Sequence, residues 1–448
     1  MDTRSIRQAL SVSILLFVLS IALNFNAYAR TMYLAPDGND DVSAEQGATF
    51  RTLRGAIRHL WGGDTLIIKS GTYQGGVSIR RGCKPDNPLV IKAEGPYAVI
   101  RGSGNGRDAV TLNDCYNVIL DGLVVTGASR AGILLSHSKF VTVRNCTSFS
   151  NGKWGIFTDH ASDFLLEGNE CYGSADEHGI YHSNSGDNFI IRNNILHHNY
   201  GCGIHVNGDP EYGGDGVISF GIIEGNICYR NGRPKGGAGI NMTHVQDVIV
   251  RNNLLYHNYA GGITFYQDTG TFEQGSKRAL ITGNTVVYSP GEGRSGTLIM
   301  PTSEKVLLCN NIFVSGGQRG TIEVNSDYLK SIISDHNVFW GVGQESMVEI
   351  KGETISLSAW RSRTGNDIHS LVADPLFIDP SAGNFKLTGS SRAIDCGLET
   401  KQIKNILDGL GGFEWVISRL EQQPKVDLRG QKRQSGKGPD AGAYEIER

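Results

Sequence analysis

From about residue 115 the chain repeats one short pattern: two or three β-branched or apolar residues, a polar residue, Asn or Gly, then apolar again. It reads Val118-Ile-Leu-Asp-Gly122, Val143-Arg-Asn145, Leu166-Glu-Gly-Asn169, Ile191-Arg-Asn-Asn194, Ile223-Glu-Gly-Asn226, Val250-Arg-Asn-Asn253, Ile281-Thr-Gly-Asn284 and Leu308-Cys-Asn-Asn311, with Asp335-His-Asn337 as a last copy. Successive copies lie 24 to 32 residues apart. One copy is too short to bury a core of its own, so the copies must stack. The apolar pieces are short, β-branched and separated by turn residues, which predicts strands and excludes a helical solenoid. Three short strands and three turns fill a step near 25 residues. The expected fold is all-β, a parallel β-helix of about ten coils. The repeated Asn suits a left-handed turn, and its side chains can hydrogen-bond from coil to coil.

A second motif sets the register. Gly-Ile recurs at Gly132-Ile133, Gly155-Ile156, Gly179-Ile180, Gly203-Ile204, Gly239-Ile240 and Gly262-Ile263. Strand side chains alternate between faces. If each Ile points inward, so do Leu135, Thr158, His182, Val206, Met242 and Phe265. His182 is the polar exception, and a buried, hydrogen-bonded histidine is the favoured reading. The outward positions form one column of Phe157, Tyr181, His205, Asn241 and Thr264, and a second of Asp159, Ser183, Asn207, Thr243 and Tyr266. His160, Asn184, His244 and Gln267 lie just beyond. Parallel strands lie about 4.8 Å apart, which makes Tyr181 and His205 lateral neighbours. Neither column contains Lys or Glu, unlike a merely solvated strand face.

The ends alter the picture. Arg4 and Arg7, the apolar run from about Ala9 to Leu23, and Ala27-Tyr28-Ala29 form an export signal, so residues 1–29 are expected to be removed and the rest secreted or periplasmic. No second apolar segment follows, so no membrane association is expected after cleavage. With a net charge of −3 and both signs mixed, nucleic acid is not an expected partner. The 59 glycines and 12 prolines suit many tight turns. Eight cysteines in an exported chain permit disulfides. Cys146, Cys171 and Cys228 fit buried thiols as well as bridges, and Cys146 with Cys171 is the best candidate pair.

The Asn-Asn-Ile/Leu and Gly-Ile signatures resemble those of bacterial right-handed parallel β-helix proteins, a superfamily that includes pectate and alginate lyases and mannuronan epimerases. Tyr33-Leu-Ala-Pro-Asp-Gly-Asn39, Thr52-Leu-Arg-Gly-Ala-Ile57 and Gly63 to Tyr73 resemble the entry segment of that group. The resemblance implies a short amphipathic helix near Thr52 to Leu60 that caps the open end. Asp374-Pro-Leu-Phe377 through Asp427-Leu-Arg-Gly430 to Glu445 resembles a common tail of the same proteins. Residues 30–340 are thus expected to form the capped β-helix, and 341–448 a final coil and C-terminal cap. A polysaccharide is the implied partner.

The two long steps put extra residues beside the outward columns, at 209–215 and 267–273. Long loops on one face of a solenoid commonly build its binding site. A groove lined by Tyr181, Tyr212 and Tyr266 is expected, with aromatic rings for sugar faces and amides and carboxylates for hydroxyls. Its substrate-binding set is His160, His178, Asn207, Asp209, Tyr212, Asn241, His244, Tyr266 and Gln267. Removing the proton beside a uronate carboxylate needs a base, an acid and a group that neutralises the carboxylate. Tyr181 and His205 suit the acid and base; a Tyr–His pairing resembles that of alginate lyases and epimerases. Lys153, and Arg233 or Lys235, suit the neutralising charge. Alternatively, Asp159, Asp209 and Asp215 would hold a calcium ion. The chain lacks the Asp-Pro-His-Asp motif of the mannuronan epimerases and the calcium-site signature of the pectate lyases. The leading expectation is a polysaccharide lyase or C5-epimerase, with Tyr181, His205, Lys153 and Asp159 as catalytic candidates. The alternatives are a glycoside hydrolase using paired carboxylates such as Asp159 and Asp209, and a non-catalytic glycan-binding surface protein.

Overall fold

The computed structural model describes residues 29–446 apart from 103–105, 234–235, 289–294, 300–302, 317–319, 342–345, 421, 423–425 and 434–435. The expected export signal, except Ala29, and Lys235 lie outside the described residues. Among the described residues no helix is long and apolar enough to cross a membrane.

Each coil contributes one short strand to each of three long sheets. One coil runs through Phe164–Glu167 in the first sheet, Glu170–Tyr172 in the second and Ile180–Ser183 in the third. Each strand pairs in parallel with its equivalent one coil away. The expected register holds: Ile133, Ile156, Ile180, Ile204, Ile240 and Ile263 are fully buried, as are Leu135, Thr158, His182, Val206, Met242 and Phe265. Burying an aliphatic side chain contributes about 1.5–3 kcal/mol, and every coil adds several to one continuous core. His182 is satisfied there. Thr158 Oγ1 is 2.8 Å from its Nδ1, its Nε2 is 3.0 Å from the Gly186 carbonyl, and Phe164 and Phe189 pack against its ring.

The repeated Asn divides into two roles that one residue was expected to fill. From Asn169 to Asn337, seven Asn side chains line up inside the turn between the first and second sheets. Each of the first five donates through Nδ2 to Oδ1 of the next at 2.9–3.0 Å, and Asn311 does the same to Asn337. The left-handed residue is the one before: Gly168, Asn193, Gly225, Asn252, Gly283, Asn310 and His336. Asn145 belongs to that outer set; its ladder position is taken by Cys146, whose N–H donates to Asn169 Oδ1. A second ladder, Asn199, Asn231 and Asn258, lies in the turn between the second and third sheets.

All eight cysteines are free thiols. The lateral neighbour of Cys171 is Ser148, which places Cys146 out of register with it and explains why that candidate bridge is not made. Burial pushes the Cys146 thiol up to about 12.

Outside the second sheet, Phe149, Tyr172, His197, Tyr229 and Tyr256 stack face to face at 4.8–5.2 Å. The N-terminal helix is a short one, Leu53–Ile57, with Thr52 Oγ1 accepting from Gly55 N at its start. After residue 341 the chain adds the parallel strand Ser346–Ile350, its antiparallel partner Glu353–Ser356, the helix Leu357–Thr364 and a short last parallel strand, Leu371–Val372, on the second sheet. The tail then returns along the side of the solenoid. Helices Thr400–Leu410 and Glu414–Leu420 bury Ile249, Leu280 and Leu307 on the outer face of the first sheet. Ala443 N donates to Thr285 Oγ1.

Candidate functional site

The outward face of the third sheet brings Phe157, Tyr181 and His205 into one lateral row, as the Gly-Ile register requires. Phe157 stacks on one side of the Tyr181 ring at 5.3 Å, and the His205 ring lies on the other at 5.1 Å. Trp154 closes over both aromatics, 4.3 Å from Phe157 and 5.4 Å from Tyr181. Tyr181 is therefore held between rings, and its hydroxyl is the part left to act on a ligand. Burial raises that hydroxyl above the ordinary tyrosine value.

His178 governs His205. The Cys202 N–H donates to His178 Nδ1 at 2.9 Å, so the proton of the neutral ring must sit on Nε2. That Nε2 lies 2.9 Å from His205 Nδ1 and 3.3 Å from Glu177 Oε2. Having accepted at Nδ1, His205 carries its own proton on Nε2. Burial lowers both histidines, His205 to about 4 and His178 well below its ordinary value, so the pair is neutral near pH 7. Gly201 allows this approach: a Cβ there would come within 2.5 Å of His178 Nδ1. The sequence placed His178 among ligand contacts; the structure makes it the partner of His205.

The other expected residues divide. Lys153 faces Asp176 at 3.5 Å and Glu177 at 3.9 Å, so its charge is already shared with two carboxylates. Asp159 Oδ1 accepts from Asn184 Nδ2 at 2.8 Å and lies 2.8 Å from His160 Nδ1. His137 stacks on His160 at 4.8 Å and groups with Asp159 and His160. The sequence missed His137, although carrying the Asp159–His160 turn one coil back would have found it. Asn207 Oδ1 accepts from the backbone of Asp209, a left-handed residue whose carboxyl burial raises. Tyr212, on a short 3-10 turn, is 67% exposed, and Tyr266 is half-buried.

The two inserted loops do not stand apart as walls. Gln274 Nε2 in one donates to the Asp215 carbonyl in the other at 2.9 Å. Asn241, Thr243 and His244 are buried, contrary to their expected place on an open groove. Asn241 is held by the Thr264 hydroxyl, and His244 by the Gln274 carbonyl and Asp268. Gln267 donates back into its own loop, at the Thr271 carbonyl. The open part of the strip thus runs from about His137 to Asp209, with Tyr212 and Tyr266 at its margin. Asp159, Asp209 and Asp215 do not converge on one point; Asp159 groups with His137 and His160 instead. The residues present do not fit the expected calcium site.

Comparison with known proteins bears on the fold. A family model described as a right handed beta helix region matches residues 100–212. An uncharacterised protein of Bacillus subtilis (strain 168), YwoF, is 23% identical over 440 residues, covering 81% of this chain and 92% of its own. The crystal structure of the pectate lyase Pel9A superposes with a TM-score of 0.61 at 15% identity, over 94% of this chain and 97% of that one. A rhamnogalacturonan lyase gives 0.52 at 12% identity, over 78% and 91%. The chain has the right-handed parallel β-helix fold of these proteins, and the sequence resemblance to that group holds at the level of fold.

Proposed function

We propose that this protein is an exported carbohydrate-active enzyme that acts on a uronate-containing polysaccharide, breaking the C–H bond beside the carboxylate. The observation that carries the reading is the Tyr181–His205 pair, with the tautomer of His205 fixed by His178. The names of the structural neighbours, a pectate lyase and a rhamnogalacturonan lyase, support the substrate class.

The geometry gives the two residues different work. A neutral imidazole N–H is an electrophile: it stabilises negative charge growing on an enolate without giving up its proton. His205 Nε2–H takes that role at the uronate carboxylate. Tyr181 Oη handles the proton. Its hydroxyl first gives its own proton to solvent, a step that burial opposes and hydrogen bonds to Asn207 and Ser183 partly offset. The tyrosinate then takes the proton of the carbon acid. In a lyase the C4–O4 bond then breaks, a C4–C5 double bond forms and the proton passes to the leaving oxygen. In an epimerase a solvent-derived proton reaches the opposite face of C5, the abstracted one leaves Tyr181 to solvent, and no bond of the chain is lost. Asp159 is bound to Asn184 and His160, which favours proton abstraction over hydrolysis by paired carboxylates.

The test is the mature chain against a panel of uronate and neutral polysaccharides, following ultraviolet absorbance of unsaturated ends together with reducing ends. A rise in both supports a lyase. Solvent deuterium entering the polymer without new ends supports an epimerase. Reducing ends without absorbance, or silence in all three channels, would overturn the proposal.

A further inference from the structure

A second group of side chains lies away from the Tyr181–His205 row, on the turn between the first and second sheets at the C-terminal end of the solenoid. In the coils from Gly168 to Asn310 the left-handed residue of that turn is Gly or Asn; in the next coil it is His336. The coil after that brings a second histidine to the same place. Asn311 N donates to Asn337 Oδ1, Asn337 N donates in turn to Ser370 Oγ, and Val338 pairs with Leu371. His369 therefore holds the register position of His336 one coil on, and the two rings stack at 5.1 Å with their planes 24° apart. Gly or Asn suffices for this turn, so its geometry does not call for two successive imidazoles.

The polarity of the hydrogen bonds fixes what the rings offer. His336 Nδ1 lies 2.9 Å from the Cys396 carbonyl, which can only accept, so Nδ1 carries the proton. His369 Nδ1 lies 2.7 Å from Asp335 Oδ2 and donates to that carboxylate. The other Asp335 oxygen accepts from His336 N and His369 N at 2.9 and 2.8 Å. In its neutral form each ring then presents a bare Nε2, and among the described residues neither Nε2 has a hydrogen-bond partner. The contacts the rings already make, all at Nδ1, do not compete with a ligand at Nε2. They are those of a metal-binding histidine, whose far N–H donates to a carboxylate or a backbone carbonyl that fixes the tautomer and raises the basicity of the lone pair. A ring nitrogen of each histidine and an oxygen of Asp335 lie within 4.8 Å of one another. Two nitrogens on one tetrahedral ion stand about 3.4 Å apart, and the His369 side chain, 65% exposed, has room to swing towards His336. Imidazole nitrogen suits Zn²⁺, Cu²⁺ or Ni²⁺, whereas Ca²⁺ takes oxygen ligands.

We propose that His336 and His369 bind one divalent transition-metal ion of the zinc class through their Nε2 atoms, with Asp335 and the Cys396 carbonyl as outer partners and water completing the ion. This site is independent of the reading given to the groove. His336 follows the strand Ile332–Asp335, His369 precedes Leu371–Val372, and Cys396 belongs to the returning tail. The ion thus clips two coils together where the tail crosses them. It stabilises the C-terminal end because only the folded chain brings the two rings side by side.

The experiment is titration of the metal-free mature chain with Zn²⁺, followed by calorimetry, thermal unfolding and long-range ¹H–¹⁵N correlation of the histidines. The variants are His336→Asn/His369→Gln, which restores at 336 the residue of the Asn310 turn, and His137→Asn, which breaks the group of His137, Asp159 and His160. We expect the double variant to bind Zn²⁺ at least about tenfold more weakly than the wild type and to lose the rise in Tm that Zn²⁺ brings. His137→Asn should keep both. The spectra need no variant: the His336 and His369 Nε2 signals should move on titration with Zn²⁺ while Nδ1 stays protonated, and Ca²⁺ should leave them in place. Unchanged Zn²⁺ affinity in the double variant, loss of binding in His137→Asn alone, or stationary Nε2 signals in the wild type would overturn the assignment.

Discussion

His178 Nε2 lies 2.9 Å from His205 Nδ1, and the direction of that hydrogen bond is set from behind by the Cys202 N–H. A backbone donor cannot reverse its polarity, so the order carries through two imidazoles to the groove. Long-range ¹H–¹⁵N correlation at pH 7 should therefore show His205 protonated at Nε2 and bare at Nδ1. The opposite tautomer would refute the role given to His205.

Disturbing His178 should act through His205 and not through substrate affinity. For His178→Gln, and for Gly201→Ala, whose Cβ would strike the His178 ring, we expect kcat to fall about 10- to 100-fold, with KM little changed. In His178→Gln the pH profile should change shape as well, because His205 loses its fixed donor. A fall confined to KM would place His178 among substrate contacts.

Tyr181→Phe and His205→Ala should each lower kcat by about a hundredfold or more, the usual size for a positioned proton-transfer group. Asp159→Asn should cost less than about tenfold, since Asp159 supports His160 and Asn184. Measuring unsaturated and reducing ends together for all three variants separates the cases: a hydrolase would make only reducing ends and reserve its largest loss for Asp159.

His182 makes stability depend on pH. Its folded value is depressed to about 4 by burial, below the ordinary histidine value near 6.5. The unfolded chain therefore binds the extra proton first, between pH 6.5 and 4. The neutral ring stabilises the fold fully above about pH 6.5, and this contribution is lost as the pH falls towards 4, by roughly 3 kcal/mol. Urea unfolding at pH 7 and 4.5 should show the loss, and His182→Gln should flatten that part of the slope.

Asn226 sits mid-ladder, accepting from Asn194 N and Nδ2 and donating to Ile191 O and Asn253 Oδ1. Asn226→Ala leaves these buried groups unpaired, at about 1–3 kcal/mol each before relaxation. We expect a loss of roughly 3–5 kcal/mol in unfolding free energy. Asn145→Gly should cost under about 1 kcal/mol, because Asn145 is on the outer turn at positive φ, which glycine adopts freely, and bonds the partly exposed carboxylate of Asp121. Equal costs would contradict the division between ladder and turn.

The sequence by itself determined the coil. Strand periodicity is local, so Ile156, Ile180 and Ile204 announce which way they point, and the constant step then places Tyr181 beside His205. It also identified His182 as a satisfied core residue. Turns were legible only in outline: Asn-Asn and Gly-Asn do not reveal which member is left-handed and which faces inward, and so Asn145 was grouped with Asn169.

Tertiary structure decided everything that depends on chain crossing between coils or along the solenoid. His178 reaches His205 from a turn on another coil, and no spacing encodes the Cys202 N–H that sets its tautomer. The inserted loops bond to each other through Gln274 and Asp215, which buries Asn241 and His244 instead of exposing them. The aromatic stack arises because residues 23 to 32 positions apart become lateral neighbours on a face that Gly-Ile does not mark. Local pattern fixes a side chain's face; which partners and covers it meets depends on the lengths and closure of turns, and these are settled only by packing.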